Sequence, residues 1–427
     1  MAAKHDFRRF QVGERQLEPE TLMLGYGFDP TLSEGAVKTP IFLTSTFAYS
    51  DCEEGKRLFD YMAGRAPPPE GESAGLIYTR FNNPNLQIVE ERLAVLERAD
   101  ACAVFSSGMA AILTALLATT EPGQTVMRSR PLYGGTETLF DTLLARLGVR
   151  SVGFFDGVDP ASVAKAADEA KAIGPVAAIY VETPANPTNS IVDLELVAET
   201  ADRIGAAQGA RPVVIVDNTL LGPLYQSPLA FGADLVVYSL TKYVGGHSDL
   251  VAGSVAGSAA LMRKVRSLRN LIGNQLDVHS CWMLTRSLET LRLRMDKAFD
   301  NAAVVADWLR AQPSVERVDY LGFAEPGSRE AGVIARQCGA GGSTFSFTVK
   351  GGQPEAFKVL DSLEVFKLAV SLGGTESLAC HPASTTHSGV SANERAVLGI
   401  GEGLIRVSVG IESPTDLIAD LARGLAA

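Results

Sequence analysis

The sequence predicts an α/β fold: a mostly parallel central sheet, with a smaller α+β domain toward the C-terminus. Three observations predict it. Between about residues 84 and 290, strand-sized apolar runs alternate with helix-length stretches, the pattern of a sheet covered on both faces. The runs at 102–105, 177–181, 213–216 and 235–238 are continuously apolar, as strands buried on both faces are. Beyond about 290 the alternation stops. With 427 residues, 46% of them hydrophobic, the chain can bury a large core and form two or three domains.

Taken in order, residues 1 to about 75 read as irregular, with a short strand at 40–47 and a Pro/Gly-rich acidic loop at 65–75. Such an arm has little core of its own, so it is expected to lie on another surface, such as a second subunit. Helical stretches at 136–147, 160–171 and 194–206 separate the apolar runs. The C-terminal part reads as a long helical stretch at 281–312, a strand at 343–349, a helix at 354–363, a strand at 404–409 and a last helix at 414–425. The expected division is an N-terminal arm, 1–83, a cofactor domain, 84–290, and a C-terminal domain, 291–427.

Composition excludes several classes. The net charge of -11, from 49 acidic and 38 basic residues, argues against a nucleic-acid partner. No apolar run is long enough to span a bilayer, and the N-terminus lacks the apolar core of a secretory signal. Five scattered cysteines without a CxxC pair fit reduced thiols in a cytoplasm. No metal site is expected: the five histidines show no ligand spacing, and His381 and His387 read as loop and packing residues.

The chemistry is read at the strand ends, where sheets of this kind bind ligands. After the run at 234–238 comes Ser239-Leu-Thr-Lys-Tyr-Val-Gly-Gly-His247. A lysine just past a strand end can be aimed into a pocket, and desolvation or a nearby cation makes it a nucleophile toward an aldehyde. Lys242 is that lysine; Ser239 and Thr241 beside it can donate to a phosphate. A solvated surface lysine is the plainer alternative. Ser106-Ser-Gly-Met-Ala110 opens an apolar helix, so the backbone at Gly108 and Met109 can form either a phosphate cradle or an ordinary N-cap. Tyr133, in a Gly-rich turn, can stack on a planar cofactor and move protons, or simply pack. Asn186, in Glu182-Thr-Pro-Ala-Asn-Pro187, is either an amide presented to a ring oxygen or part of a stiff turn. Asp217 ends a buried apolar run and needs a partner. A pyridinium nitrogen suits it better than a helix cap or a metal, because Lys242 follows 25 residues later, one strand on. Arg406, in an apolar strand, needs a carboxylate: that of an amino acid, or that of an internal salt bridge.

In order, these pieces resemble the Cys/Met-metabolism enzymes that use pyridoxal 5'-phosphate, among them the cystathionine synthases and lyases, the methionine γ-lyases and the O-acylhomoserine sulfhydrylases. The resemblance runs from Pro40 to about Glu412. It rests on Tyr78-Thr-Arg80, Ser107-Gly-Met109, Tyr133-Gly134, Glu182-Thr-Pro-Ala-Asn-Pro187, Val216-Asp-Asn-Thr219, Ser239-Leu-Thr-Lys-Tyr243, Ser371-Leu-Gly-Gly374, His381-Pro-Ala-Ser-Thr-Thr-His387 and Ile405-Arg-Val-Ser-Val-Gly410. It implies the aspartate-aminotransferase type of fold (fold type I). Lys242 would hold the cofactor as a Schiff base and later shuttle protons. Asp217 would pair with the pyridine nitrogen, Tyr133 would stack on the ring, and Asn186 would sit near the ring hydroxyl. Gly108, Met109, Ser239 and Thr241 would bind the phosphate. Tyr78 and Arg80 would reach it from the neighbouring subunit, which implies a dimer, usually doubled to a homotetramer with shared sites. Arg406, with Ser371 and Glu376, would bind the substrate.

The implied chemistry is γ-elimination or γ-replacement on sulfur amino acids or homoserine esters, of the cystathionine γ-synthase or γ-lyase type. A methionine γ-lyase or O-acylhomoserine sulfhydrylase is the alternative, followed by a cystathionine β-lyase or an aminotransferase. A scaffold without catalysis is countered by the intact set Lys242, Asp217, Tyr133 and Arg406. The sequence departs from the family in three places. Gly135 stands where methionine γ-lyases carry a cysteine, Asn85 replaces a common threonine, and the stretch 56–75 is longer than usual. Glu376 matches an acidic residue that would face the distal end of cystathionine.

Overall fold

The computed structural model describes residues 7–67 and 75–427. A small ribbon, β1 (Gln11–Val12) with β2 (Arg15–Gln16), precedes a seven-stranded sheet. That sheet comprises β3 (Ala101–Phe105), β4 (Thr125–Ser129), β5 (Arg150–Phe154), β6 (Val176–Glu182), β7 (Val213–Asp217), β8 (Leu235–Ser239) and β9 (Gly253–Gly257). Its order is β3-β9-β8-β7-β6-β4-β5, and β9 alone runs against the others. The four runs read as strands are thus β3, β6, β7 and β8.

Their continuous apolar character has the expected cause. Ile215 faces the core beneath the helix Gly108–Thr119, while Val214 and Val216 face the core beneath the helices Pro160–Ile173 and Leu194–Gln208. Caps set the helix starts. Ser107 Oγ accepts from Ala110 N at 3.0 Å, and Asp159 and Asp193 each take two backbone N–H groups ahead of their helices. The helix expected at 136–147 begins at Gly134 and passes into π-helical turns over Leu139–Leu144.

A second sheet follows: β10 (Val315–Asp319), β11 (Thr344–Val349), β12 (Lys367–Leu368), β13 (Leu378–Cys380) and β14 (Leu404–Ser408). Its order is β10-β11-β14-β13-β12, with antiparallel pairs except β12 with β13. The helices Leu291–Arg310, Gln353–Asp361 and Pro414–Leu425 cover it through Phe345, Phe347, Val407 and Leu417. The stretch expected as one helix over 281–312 is two, Val278–Leu288 and Leu291–Arg310. The break falls at Glu289, whose carboxylate is held by Lys38 at 2.6 and 2.7 Å.

The N-terminal expectation needs correction. The arm contains the helices Pro19–Gly25 and Cys52–Met62, the second capped by Asp51 Oδ1 accepting from Glu54 N at 2.7 Å. Residues 40–47 form no strand; they contribute one isolated bridge, Thr46 with Tyr78. Of the long stretch 56–75, the start belongs to the helix Cys52–Met62, and residues 68–74 lie outside the described residues. No helix among the described residues is long and apolar enough to cross a membrane.

Candidate active site

The carboxyl ends of β6, β7 and β8 open into a cavity of about 600 Å³. Its walls hold Lys242, Asp217, Tyr133, Asn186 and Arg406, and also Gly108, Met109, Ser239, Thr241 and Ser371. Residues spread over 299 positions of sequence are thereby gathered at one point (108 to 406). Adjacent parallel strands explain part of this: Glu182 is registered with Asp217, and Asp217 with Val237, two residues before Ser239.

Lys242 Nζ donates to Ser371 Oγ at 2.8 Å. Burial, with the Arg406 charge adding to it, lowers the ammonium's pKa from 10.5 to about 8. Ser371 has φ 89, a left-handed conformation that a serine rarely adopts. Its carbonyl accepts from Arg406 Nη2 at 2.6 Å, while Arg406 Nη1 donates to Asn186 Oδ1 at 3.2 Å. Arg406 is 2% exposed, its Nε is buried without a partner, and no carboxylate pairs with it among the described residues. A buried cation of this kind is costly unless an anion pairs with it.

Asp217 is the complementary case. Its Oδ1 accepts from Thr219 N at 3.1 Å and Thr219 Oγ1 at 2.6 Å, and its Oδ2 from Tyr180 Oη at 3.3 Å. Burial raises its pKa, against those hydrogen bonds. No cation pairs with it among the described residues, so a protonated ring nitrogen would relieve it. Thr219 Oγ1 also accepts from Ser239 N at 2.9 Å, tying the Asp217 turn to the strand that leads to Lys242. Beside Asp217, Glu182 accepts from Tyr133 N at 2.7 Å and Asn186 N at 2.8 Å. Burial pushes the Glu182 carboxyl well above the usual range, and the Asp217 charge adds to this.

At the other wall, the helix Gly108–Thr119 meets the end of β8 so closely that a Cβ on Gly108 would lie 2.9 Å from Ser239 Cβ. Glycine keeps that helix N-terminus, where backbone N–H groups favour anions, beside the hydroxyls of Ser239 and Thr241. Tyr133 lines the cavity and is 41% exposed, so it is not a core residue. These residues fit pyridoxal 5'-phosphate: an amine for its aldehyde, a buried carboxylate for its ring nitrogen, and a close backbone approach for its phosphate.

Other expected residues lie elsewhere. Tyr78 and Arg80 do not line the cavity of their own chain; Tyr78 is 41% exposed, and Arg80 lies 4.3 Å over the Phe81 ring and donates to Asn270 O. Glu376 is also outside the cavity wall, its oxygens taking the hydroxyls of Ser248 and Thr375. His381 bonds Ser384 and the carbonyl of Glu402, and buried His387 packs by the carbonyl of Leu132. Both sit in loop packing. The roles of Tyr180, Thr219 and Glu182 were not drawn from the sequence. The period of two along β6 puts Tyr180 and Glu182 on one face, and that spacing was the available signal.

Comparison with known proteins gives a consistent result. The family model for Cys/Met metabolism PLP-dependent enzymes matches residues 20–426. An L-methionine gamma-lyase of Pseudomonas putida is 40% identical over 410 residues, covering 95% of this chain and 97% of that protein. An O-succinylhomoserine sulfhydrylase of Pseudomonas aeruginosa is 36% identical over 395 residues, covering 92% of each. The crystal structure of cystathionine gamma synthase from Xanthomonas oryzae pv. oryzae, in complex with aminoacrylate and cysteine, superposes with a TM-score of 0.85 at 34% identity, covering 96% of this chain and 98% of that one. With its sheet order, its buried Asp217 and its Lys242 at one cavity, the chain is an enzyme that belongs to the Cys/Met metabolism PLP-dependent family.

Proposed function

We propose that this enzyme carries out γ-elimination or γ-replacement on sulfur amino acids or homoserine esters, of the cystathionine γ-synthase or γ-lyase type. The observation that carries it is the shared hold on Ser371: its hydroxyl takes Lys242 Nζ and its carbonyl takes Arg406. An amine nucleophile and a guanidinium without a carboxylate partner among the described residues, both held by one serine, match the α-amino and α-carboxylate groups of an amino acid. Bound here, pyridoxal 5'-phosphate supplies an electron sink that lets an amino acid shed its Cα proton.

The chain's residues divide the remaining work. Lys242 anchors the cofactor and then moves protons at Cα and Cβ, for which a pKa of about 8 is well placed. Asp217 keeps the ring nitrogen charged, and Tyr180 and Thr219 hold Asp217 in place. Tyr133 covers the ring and Asn186 faces its edge. Ser239, Thr241 and the backbone at Gly108 and Met109 receive the phosphate. Arg406 grips the substrate carboxylate.

One observation favours a second reading, a methionine γ-lyase. The cavity wall includes Val251 and Val370, 60% and 54% exposed, while Glu376 is engaged by Ser248 and Thr375. An apolar wall suits a methylthio group better than a distal ammonium. Gly135, without the cysteine of methionine γ-lyases, weighs against this reading.

The arm, cofactor and C-terminal divisions at 83/84 and 290/291 belong to the same proposal, as do a homotetramer with shared sites and a cytoplasmic location. Exposed apolar side chains of the arm (Leu32, Val37 and Leu43) support a covering partner. Five unpaired cysteines fit a reducing compartment. The test is a product assay with pyridoxal 5'-phosphate, offering L-cystathionine, L-methionine and an O-acylhomoserine with cysteine. 2-Oxobutyrate and ammonia, or a thioether, are expected; pyruvate, or transamination without thiol release, would contradict the proposal.

A further inference from the structure

Glu182 lines the cavity yet has no place in the division of work above. It is 5% exposed, at the last position of β6, and no cation pairs with it among the described residues. A buried carboxyl without a counter-ion is costly, and an apolar residue would fill the same space at less cost. What it supplies is two separate acceptors. Oε2 takes the backbone N–H of Tyr133 at 2.7 Å, and Oε1 takes that of Asn186 at 2.8 Å. The two partners lie on different loops: Tyr133 follows β4, and Asn186 follows β6. The carboxyl's own base is fixed to the neighbouring strand, because Glu182 N donates to Ser129 Oγ at 3.1 Å.

We propose that Glu182 is a positioning residue, whose single carboxyl group clamps the Tyr133 turn to the Asn186 turn and so sets the spacing between the stacking ring and the edge amide. This rests on the reading that both residues meet the cofactor ring. Glutamine cannot replace the clamp: it has one acceptor oxygen, and its NH2 would confront the other backbone N–H. Losing an acceptor leaves a backbone N–H of the cavity wall unpaired, at the cost of its desolvation.

The test compares four holoenzymes: wild type, Glu182→Gln, Tyr133→Ala/Asn186→Ala, and the triple variant. Each is assayed for kcat/KM with the substrate chosen by the product assay, and for the visible circular dichroism of the bound cofactor. In the wild-type background, Glu182→Gln should lower kcat/KM roughly thirtyfold and at least halve the dichroic band. In the Tyr133→Ala/Asn186→Ala background it should change kcat/KM less than about twofold, because the backbone N–H groups remain but the two side chains they position are gone. Equal losses in both backgrounds, or no loss in the first, would overturn the inference. Should Glu182→Gln fail to fold, Glu182→Asp, too short to reach both N–H groups, is judged by the same comparison. If Tyr133→Ala/Asn186→Ala itself changes neither readout, the ring reading of those residues fails, and the clamp falls with it.

Discussion

Lys242 and Arg406 are coupled through Ser371, and each makes a separate prediction. Arg406 is buried and held by two oxygens, and no carboxylate pairs with it among the described residues. Arg406→Ala should therefore raise KM for the amino-acid substrate about a hundredfold with a smaller change in kcat, and Arg406→Lys should recover little, because a lysine cannot offer the planar fork. An unchanged KM would count against the carboxylate role. For Lys242, burial and the neighbouring guanidinium favour the neutral amine, with a pKa of about 8. In the cofactor-free protein, capture of pyridoxal 5'-phosphate should accelerate with a midpoint near pH 8. Between about 8 and the unfolded value of 10.5, the unfolded chain binds a proton that the folded chain does not. The cofactor-free fold therefore gains stability as pH rises through that window and carries the full penalty below it. Rising-pH denaturant titrations would show this, and loss of the effect in Lys242→Ala would assign it.

The contact between the helix Gly108–Thr119 and the end of β8 makes its own prediction. A methyl group on Gly108 meets Ser239 Cβ at 2.9 Å, so Gly108→Ala must push the helix start away from the hydroxyls it faces. Cofactor affinity should drop at least about tenfold while the melting curve of the cofactor-free protein shifts only modestly. Equal cofactor affinity would contradict the phosphate assignment. How far these elements could be read in advance follows from their chemistry. β7 and β8 are runs of large apolar residues ending in polar ones, so both strands and the Asp217 and Lys242 positions were legible. β9, Gly253-Ser-Val-Ala-Gly257, was not, because it lacks the bulk of a strand. Its glycines are there for proximity: a Cβ at Gly253 would strike the Ser107 backbone, and one at Gly257 the Asp234 carbonyl. The arm helices were missed because they are short, 7 and 11 residues, and only Leu22, Met23 and Gly55 are buried along their length. The clamp at Glu182 was hidden because backbone N–H groups, which leave no trace in residue identity, are its partners.

Across the whole molecule, the open question is which copies complete which site. Tyr78 and Arg80 stand away from the cavity of their own chain. If they serve a partner, mixing Tyr78→Phe/Arg80→Ala subunits with Lys242→Ala subunits should restore about a quarter of wild-type activity, since half of random dimers are mixed and each has one intact site. No recovery in verified mixed dimers would argue for self-contained sites. All of these expectations depend on one assignment, and it can be measured directly. The holoenzyme is reduced with borohydride, digested, and its peptides mapped by mass spectrometry. The structure predicts a pyridoxyl group on Lys242 and no turnover in Lys242→Ala. A label on another lysine, or full activity without Lys242, would contradict the account.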